Sequence, residues 1–287
     1  MNTIWSSHIQ KAETLYLSRE LRFDDRFKDA YRRAFSINDR KRILEIGAGP
    51  GALTQALGRW YPQAEIIGSD RDHAFLEFAR QHAPAHQFIE ADATALPFNA
   101  NSFDVVISNT VQEHIEPSAF FGEQYRVLNS NGICLVLSSR RGINISSDII
   151  SDTSDFENEM YKKSSQLLSE NDEKNSVGKY GCSELELAFL MQKHGFQEIQ
   201  TNYIAINLTP DSGQFEESFA LKIIESNRRT HLDAIEIAKE VYTEDEFVQL
   251  SFEINKKYDR RKEQYRASQA QWDVNMSLIM VVRGVKR

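Results

Sequence analysis

Three acids and a run of glycines are the residues of this chain whose types and spacing could do chemistry. Glu45 stands two residues before Gly47-Ala48-Gly49-Pro50-Gly51, and Asp70 and Asp92 follow at similar intervals. Glycines at alternate positions allow a tight turn and let a ligand approach the backbone with no Cβ in the way. An apolar helical pattern begins at Gly51, so free amide donors lie at a helix N-terminus, a place suited to negative or polar ligand groups. The first reading is a nucleotide-type cofactor over Gly47 to Gly51. Two cofactors compete. Gly47-x-Gly49-x-x-Ala52 with Asp70 satisfies the relaxed dinucleotide fingerprint. Glu45 points elsewhere, because its carboxylate repels a diphosphate and holds a cationic amino-acid moiety. Asp92 adds a second acid where an adenine amino group is met.

The elements that must position these residues are legible from periodicity. Short apolar runs predict strands at Arg42–Ile46, Glu65–Ser69, Gln87–Glu90, Phe103–Ser108 and Ile133–Ser138. Helical patterns separate them at about Gly51–Trp60, His73–His82 and Pro117–Leu128. Strands alternating with helices mean right-handed crossovers and a mostly parallel sheet covered on both faces. Ser183 to Glu186 is a capping box, its helix stops at Gly195, and Phe196–Leu208 reads as strand six. Met276–Val282 is strand seven, which an antiparallel pairing would suit. The expected class is therefore α/β: a doubly wound, Rossmann-like, seven-stranded sheet with an antiparallel last strand. Two amphipathic stretches precede it, around Ile9–Tyr16 and Phe23–Ala34, with Asp24 placed to cap the second. They either pack on the domain edge or form a lid carrying Trp5, Tyr16, Arg19 and Phe23. Polar insertions fall at about 141–180 and 210–275, the second helical with a capping box at Thr243–Glu246.

Net charge is −8, and Arg22, Arg32, Arg33, Arg40 to Arg42 and Arg260 to Lys262 are interspersed with acids. A nucleic-acid binder wants a basic face, so that class is disfavoured. The N-terminus around Asn2, Ser6, Ser7 and His8 lacks a secretion signal, and no apolar run reaches the length of a membrane span. Two cysteines, Cys134 in an apolar run and Cys182, fit a reducing cytoplasm. No Cys/His spacing suggests a metal.

Taken in order, Leu44-Glu45-Ile46-Gly47-Ala48-Gly49-Pro50-Gly51, Gly68-Ser69-Asp70, Ala91-Asp92-Ala93-Thr94-Ala95-Leu96-Pro97-Phe98, Val111-Gln112-Glu113-His114-Ile115, Tyr125-Arg126-Val127-Leu128 and Gly195-Phe196 resemble the class I S-adenosylmethionine-dependent methyltransferases, small-molecule branch. The resemblance covers about Arg42–Leu208 and Met276–Val285, minus the insertions. It implies residues 1–40 as an N-terminal helical lid and 41–287 as the methyltransferase domain, with S-adenosylmethionine as cofactor and a small molecule as acceptor. Carried over residue by residue, it puts backbone at Gly47, Ala48, Gly49 and Gly51 along the methionine and ribose part, and Glu45 on the amino group. Asp70 accepts the ribose hydroxyls, Asp92 the adenine amino group, the Ala93 amide meets the ring, and the Asn109 carbonyl lies near the ammonium. Arg71 replaces the usual apolar residue after the ribose acid and can stack by its guanidinium. Asn129-Ser130-Asn131-Gly132 replaces the usual Pro-Gly-Gly. Gly51-Ala52-Leu53-Thr54 is also shared with ribosomal-RNA adenine dimethyltransferases, but Ser108-Asn109-Thr110-Val111 lacks their aromatic clamp.

His114 is the best-placed general base, with Glu113 second; the plainer and favoured reading is a ring that packs or hydrogen-bonds at the start of the following loop. Trp5, Tyr16, Tyr161, Tyr180 and Tyr203 either line an acceptor pocket or form their own core. The alternatives to a methyltransferase are a nicotinamide-dependent oxidoreductase and a non-catalytic cofactor-binding module of the same fold.

Overall fold

The structure, a computed structural model, describes residues 5–38, 42–147, 150 and 153–287. Asn2, Arg40, Lys41 and the boundary expected at 40/41 lie outside the described residues. The strands are β1 (Arg42–Ile46), β2 (Glu65–Asp70), β3 (Gln87–Glu90), β4 (Phe103–Asn109), β5 (Leu128–Ile145), β6 (Phe196–Asn207) and β7 (Val274–Lys286), with the buried apolar runs in the central ones and β3 and β6 at the edges. They make one seven-stranded sheet in the order 3-2-1-4-5-7-6. The first five strands pair in parallel, and β7 runs antiparallel to both β5 and β6. A dinucleotide sheet continues 3-2-1-4-5-6 without that antiparallel wedge. Strand order reverses between β1 and β4, so their carboxyl ends open the crevice where ligands of such sheets bind.

The helices are α1 (Trp5–His8), α2 (Ala12–Arg22), α3 (Lys28–Phe35), α4 (Ala52–Trp60), α5 (His73–His82), α6 (Pro117–Val127), α7 (Asp155–Lys174), α8 (Glu184–Lys193), α9 (Glu217–Ile237) and α10 (Glu244–Arg266). Asp24 caps a single 3-10 turn, Asp25–Phe27, that leads into α3. α2 and α3 both contribute to the core, through Leu21 and through Tyr31 and Phe35. α3 joins the core on one sheet face, where the Tyr31 and Trp60 rings stack at 5.1 Å and the Trp60 indole donates to Asp25 Oδ1 at 2.8 Å. Trp5 of α1 and Leu15 and Arg19 of α2 border the cavity at the carboxyl ends of the strands.

Two elements exceed what periodicity shows. β5 continues past Ser138 to Ile145, because β7 pairs with it along that length, down to Ile145 opposite Val274. The first insertion holds a 20-residue helix, α7, opened by a capping box between Ser154 and Glu157. Met160 of α7 packs with Ile224 and Ile235 of α9 and Leu250, Ile254 and Tyr258 of α10. The two insertions thus share one apolar cluster of their own.

Candidate active site

Glu45, Asp70 and Asp92 line one cavity of about 600 Å³ at the carboxyl ends of β1, β2 and β3. Glu45 is 2% exposed and accepts a hydrogen bond from the Thr54 hydroxyl on α4. Burial pushes its carboxyl up to about 8, with the Asp70 charge adding to the rise and Thr54 opposing it. A buried acid in that state is poorly placed for a lone negative charge and well placed for a cation. Asp70 accepts from the Gly49 amide and the Asp72 amide, each at 2.8 Å. One oxygen meets each amide, which leaves lone pairs on both for a vicinal diol. Burial raises Asp70 as well. Asp92 is exposed; its Oδ1 accepts the Thr94 amide at 2.8 Å and hydroxyl at 2.6 Å, which hold its carboxyl below the usual range. Its Oδ2 makes no such bond among the described residues.

The glycine turn places the backbone against these acids. Gly47, at φ +67°, passes so close to the β4 exit that a Cβ would stand 2.3 Å from Val111 Cγ2. Gly47, Ala48 and Gly49 border the cavity, whereas Gly51 does not. Gly51 is the left-handed cap of α4, at φ +88°, packed toward Ala79 and Phe88. Arg71, Ala93 and Asn109 also border the cavity. The Asn109 carbonyl accepts the Thr110 hydroxyl at 2.7 Å. Thr110 holds φ +53°, a strained conformation for a β-branched residue and one concentrated at functional sites.

The roof is built from the N-terminal helices and the end of the first insertion. Trp5 of α1 and Leu15, Arg19 and Phe23 on or beside α2 face the cavity, as do Lys174, Ser176 and Tyr180 from the end of the first insertion. Asp72 anchors α1: it accepts the Ser6 amide at 2.8 Å and hydroxyl at 3.0 Å while capping α5 through the Ala74 amide at 3.1 Å. His114 joins the two halves. Its ring packs 4.7 Å from that of Trp5, and its Nδ1 accepts the Gly178 amide at 2.9 Å. The proton of the neutral ring therefore sits on Nε2, and as placed the ring has no free lone pair with which to take another. Burial, with the Arg71 charge nearby, lowers His114 to about 4 against the pull of the Thr110 carbonyl.

Of the remaining candidates, Tyr16 turns away, donating to Gln55 Oε1 at 2.9 Å. Tyr161 packs with the insertion cluster, and Tyr203 is 50% exposed on β6. Glu113 is raised by burial, and its carbonyl accepts the Tyr180 amide at 2.8 Å. Sequence reasoning misses Thr54, Asp72 and Gly178. Only Asp72 carries a local signal, an Asp just ahead of an apolar helix. Among the described residues no group of three His, Cys, Asp or Glu converges on a point that could hold a metal ion.

Residues 44–136 match the family model described as a methyltransferase domain. The malonyl-(acyl-carrier protein) O-methyltransferase of Legionella pneumophila is 36% identical over 103 residues, which cover 34% of this chain and 36% of that relative. The demethylmenaquinone methyltransferase of Thermus thermophilus is 39% identical over 102 residues, 34% of this chain and 46% of that one. The matches thus span less than half the length of these curated relatives. In solved structures, phosphoethanolamine N-methyltransferase 2 of Haemonchus contortus, in complex with phosphomonomethylethanolamine and S-adenosylhomocysteine, shares the fold at a TM-score of 0.54 and 18% identity. That alignment covers 99% of this chain and 60% of the other. The antiparallel β7, the order of acids and glycines, and these similarities agree: residues 44–136 form a methyltransferase domain of the class I, S-adenosylmethionine-dependent kind, with S-adenosylmethionine as cofactor.

Proposed function

We propose that the protein transfers the methyl group of S-adenosylmethionine to a small-molecule acceptor. The observation that carries this reading is the convergence of Glu45, Asp70 and Asp92 on one cavity beside the glycine turn. Glu45 and the Asn109 carbonyl would hold the ammonium, and the spare lone pairs of Asp70 the ribose hydroxyls. Asp92 Oδ2 and the Ala93 amide would meet adenine, and Arg71 would lie along it. When bound, the cofactor supplies a methyl carbon already activated on a sulfonium. What remains for the protein is to align a nucleophile and exclude water, and alignment alone lowers a barrier by as much as about 7–11 kcal/mol.

The roof serves that purpose. α1, α2 and the loop after α7 cover the strand tips, and His114 pins the two sides through Trp5 and Gly178. In this role His114 positions the cover and moves no proton. An acceptor small enough to pass under such a roof, on a chain of net charge −8, is favoured over a nucleic acid. Free Cys134 and Cys182 fit a reducing compartment such as the cytoplasm. Among the described residues no helix is long and apolar enough to cross a membrane.

The test is incubation with methyl-labelled S-adenosylmethionine and a panel of acids, phenols, quinols and amines, followed by mass spectrometry. Label on one acceptor class is expected. Tight cofactor binding with no labelled product from any class would instead favour a non-catalytic module.

A further inference from the structure

Two half-buried arginines one turn apart on α2 have no acid partner among the described residues. Arg19 donates from Nη2 to the Thr110 hydroxyl at 3.0 Å, and its guanidinium makes no other hydrogen bond among the described residues. Arg22 makes no ion pair or side-chain hydrogen bond among them, and its Nε is buried without a partner. Burial and the neighbouring Arg22 lower Arg19 to about 9, and burial lowers Arg22 too. Glu113 is the acid that supports Arg19, yet it forms no ion pair with it. Arg261 on α10 differs in its ion pairs: fully buried, it is flanked by both Asp211 and Asp273, although its Nη1 has no partner among the described residues. A cation partly withdrawn from water with no counter-charge is costly, which points to an anion that arrives with a ligand.

A second cavity supplies the room. It has a volume of about 440 Å³ and shares Gln10, Leu15 and Arg19 with the cofactor cavity. Arg22 lies on its wall, with Asn144 and Ile145 from the extended end of β5 and Ile223 from α9. Asp273 also borders it but is already engaged by Arg261.

We propose that this second cavity is the acceptor chamber for a carboxylic acid, with the carboxylate held by Arg19 and Arg22 where the two cavities join. A planar guanidinium pairs its N–H donors with a carboxylate or a phosphate alike, so an octyl phosphate arm separates the two. This rests on the methyl-transfer reading above, and deepens it by naming the acceptor class.

The test uses the full chain saturated with S-adenosylhomocysteine. Octanoate, benzoate and adipate are each titrated against the matching neutral amide, with octyl phosphate as a further arm. At least one carboxylate should bind saturably and its amide should not. Arg22→Gln should weaken that carboxylate about 10–100-fold, the range of a charge-assisted hydrogen bond, with affinity for S-adenosylhomocysteine unchanged. Because it removes an uncompensated, partly buried charge, Arg22→Gln should also hold or raise Tm. Carboxylates binding no better than amides, octyl phosphate binding where no carboxylate does, or unchanged carboxylate affinity in Arg22→Gln would each overturn the proposal. Failure to bind S-adenosylhomocysteine at all would instead strike the methyl-transfer reading.

Discussion

Glu45 and His114 are both held neutral by burial, for opposite ends. Glu45, raised to about 8, carries its proton at neutral pH until a cation arrives. An ammonium beside it reverses that preference, so cofactor binding at pH 7 should release about one proton. Calorimetry in two buffers of different ionisation enthalpy reads this directly, and Glu45→Gln should abolish the difference. His114 titrates the other way. Its ordinary pKa of 6.5 falls to about 4, so the unfolded chain takes up a proton first as pH drops. Its contribution to stability is complete above pH 6.5 and is lost as pH falls toward 4. His114→Gln, which can still accept the Gly178 amide, should flatten the dependence of Tm on pH across that window. An unchanged slope would show that the ring is charged or exposed in the folded protein.

At the scale of elements, two glycines make a paired prediction. A Cβ on Gly47 stands 2.3 Å from Val111 Cγ2 at a positive φ, so Gly47→Ala should cost about 1–3 kcal/mol in urea denaturation. It should also weaken cofactor binding, because the turn and the β4 exit must part. Gly122, inside α6, has nothing within 4 Å of its ideal Cβ, and Gly122→Ala should stabilise by about 0.4–1 kcal/mol. β1, β2 and β4 are legible from sequence because parallel strands buried on both faces read as apolar runs, whereas edge strand β3 buries only Phe88. The far end of β5 is not. Ile143 and Ile145 are 41% and 60% exposed, and that stretch is a strand only because β7 lies beside it. α7 escapes periodicity for a related reason: it buries little apolar surface, although its Ser154–Glu157 box is there to be read.

Across the whole molecule, the positions of Glu45, Asp70 and Asp92 follow from sequence because each sits at the tip of a strand whose end is itself legible. The partners that set their chemistry come from elsewhere in the fold. Thr54 reaches Glu45 from the next helix, and Gly178 reaches His114 across 64 positions of chain. The role of His114 is therefore invisible until the first insertion is folded over it. Calorimetric titration of S-adenosylhomocysteine and, separately, NADH into the wild-type chain and Asp70→Ala probes the shared cradle itself. Saturable binding of S-adenosylhomocysteine is predicted, with no NADH signal and affinity about 10–100-fold weaker in Asp70→Ala. NADH binding in its place, or equal affinity in the variant, would contradict the convergence of the three acids on one adenosyl cofactor.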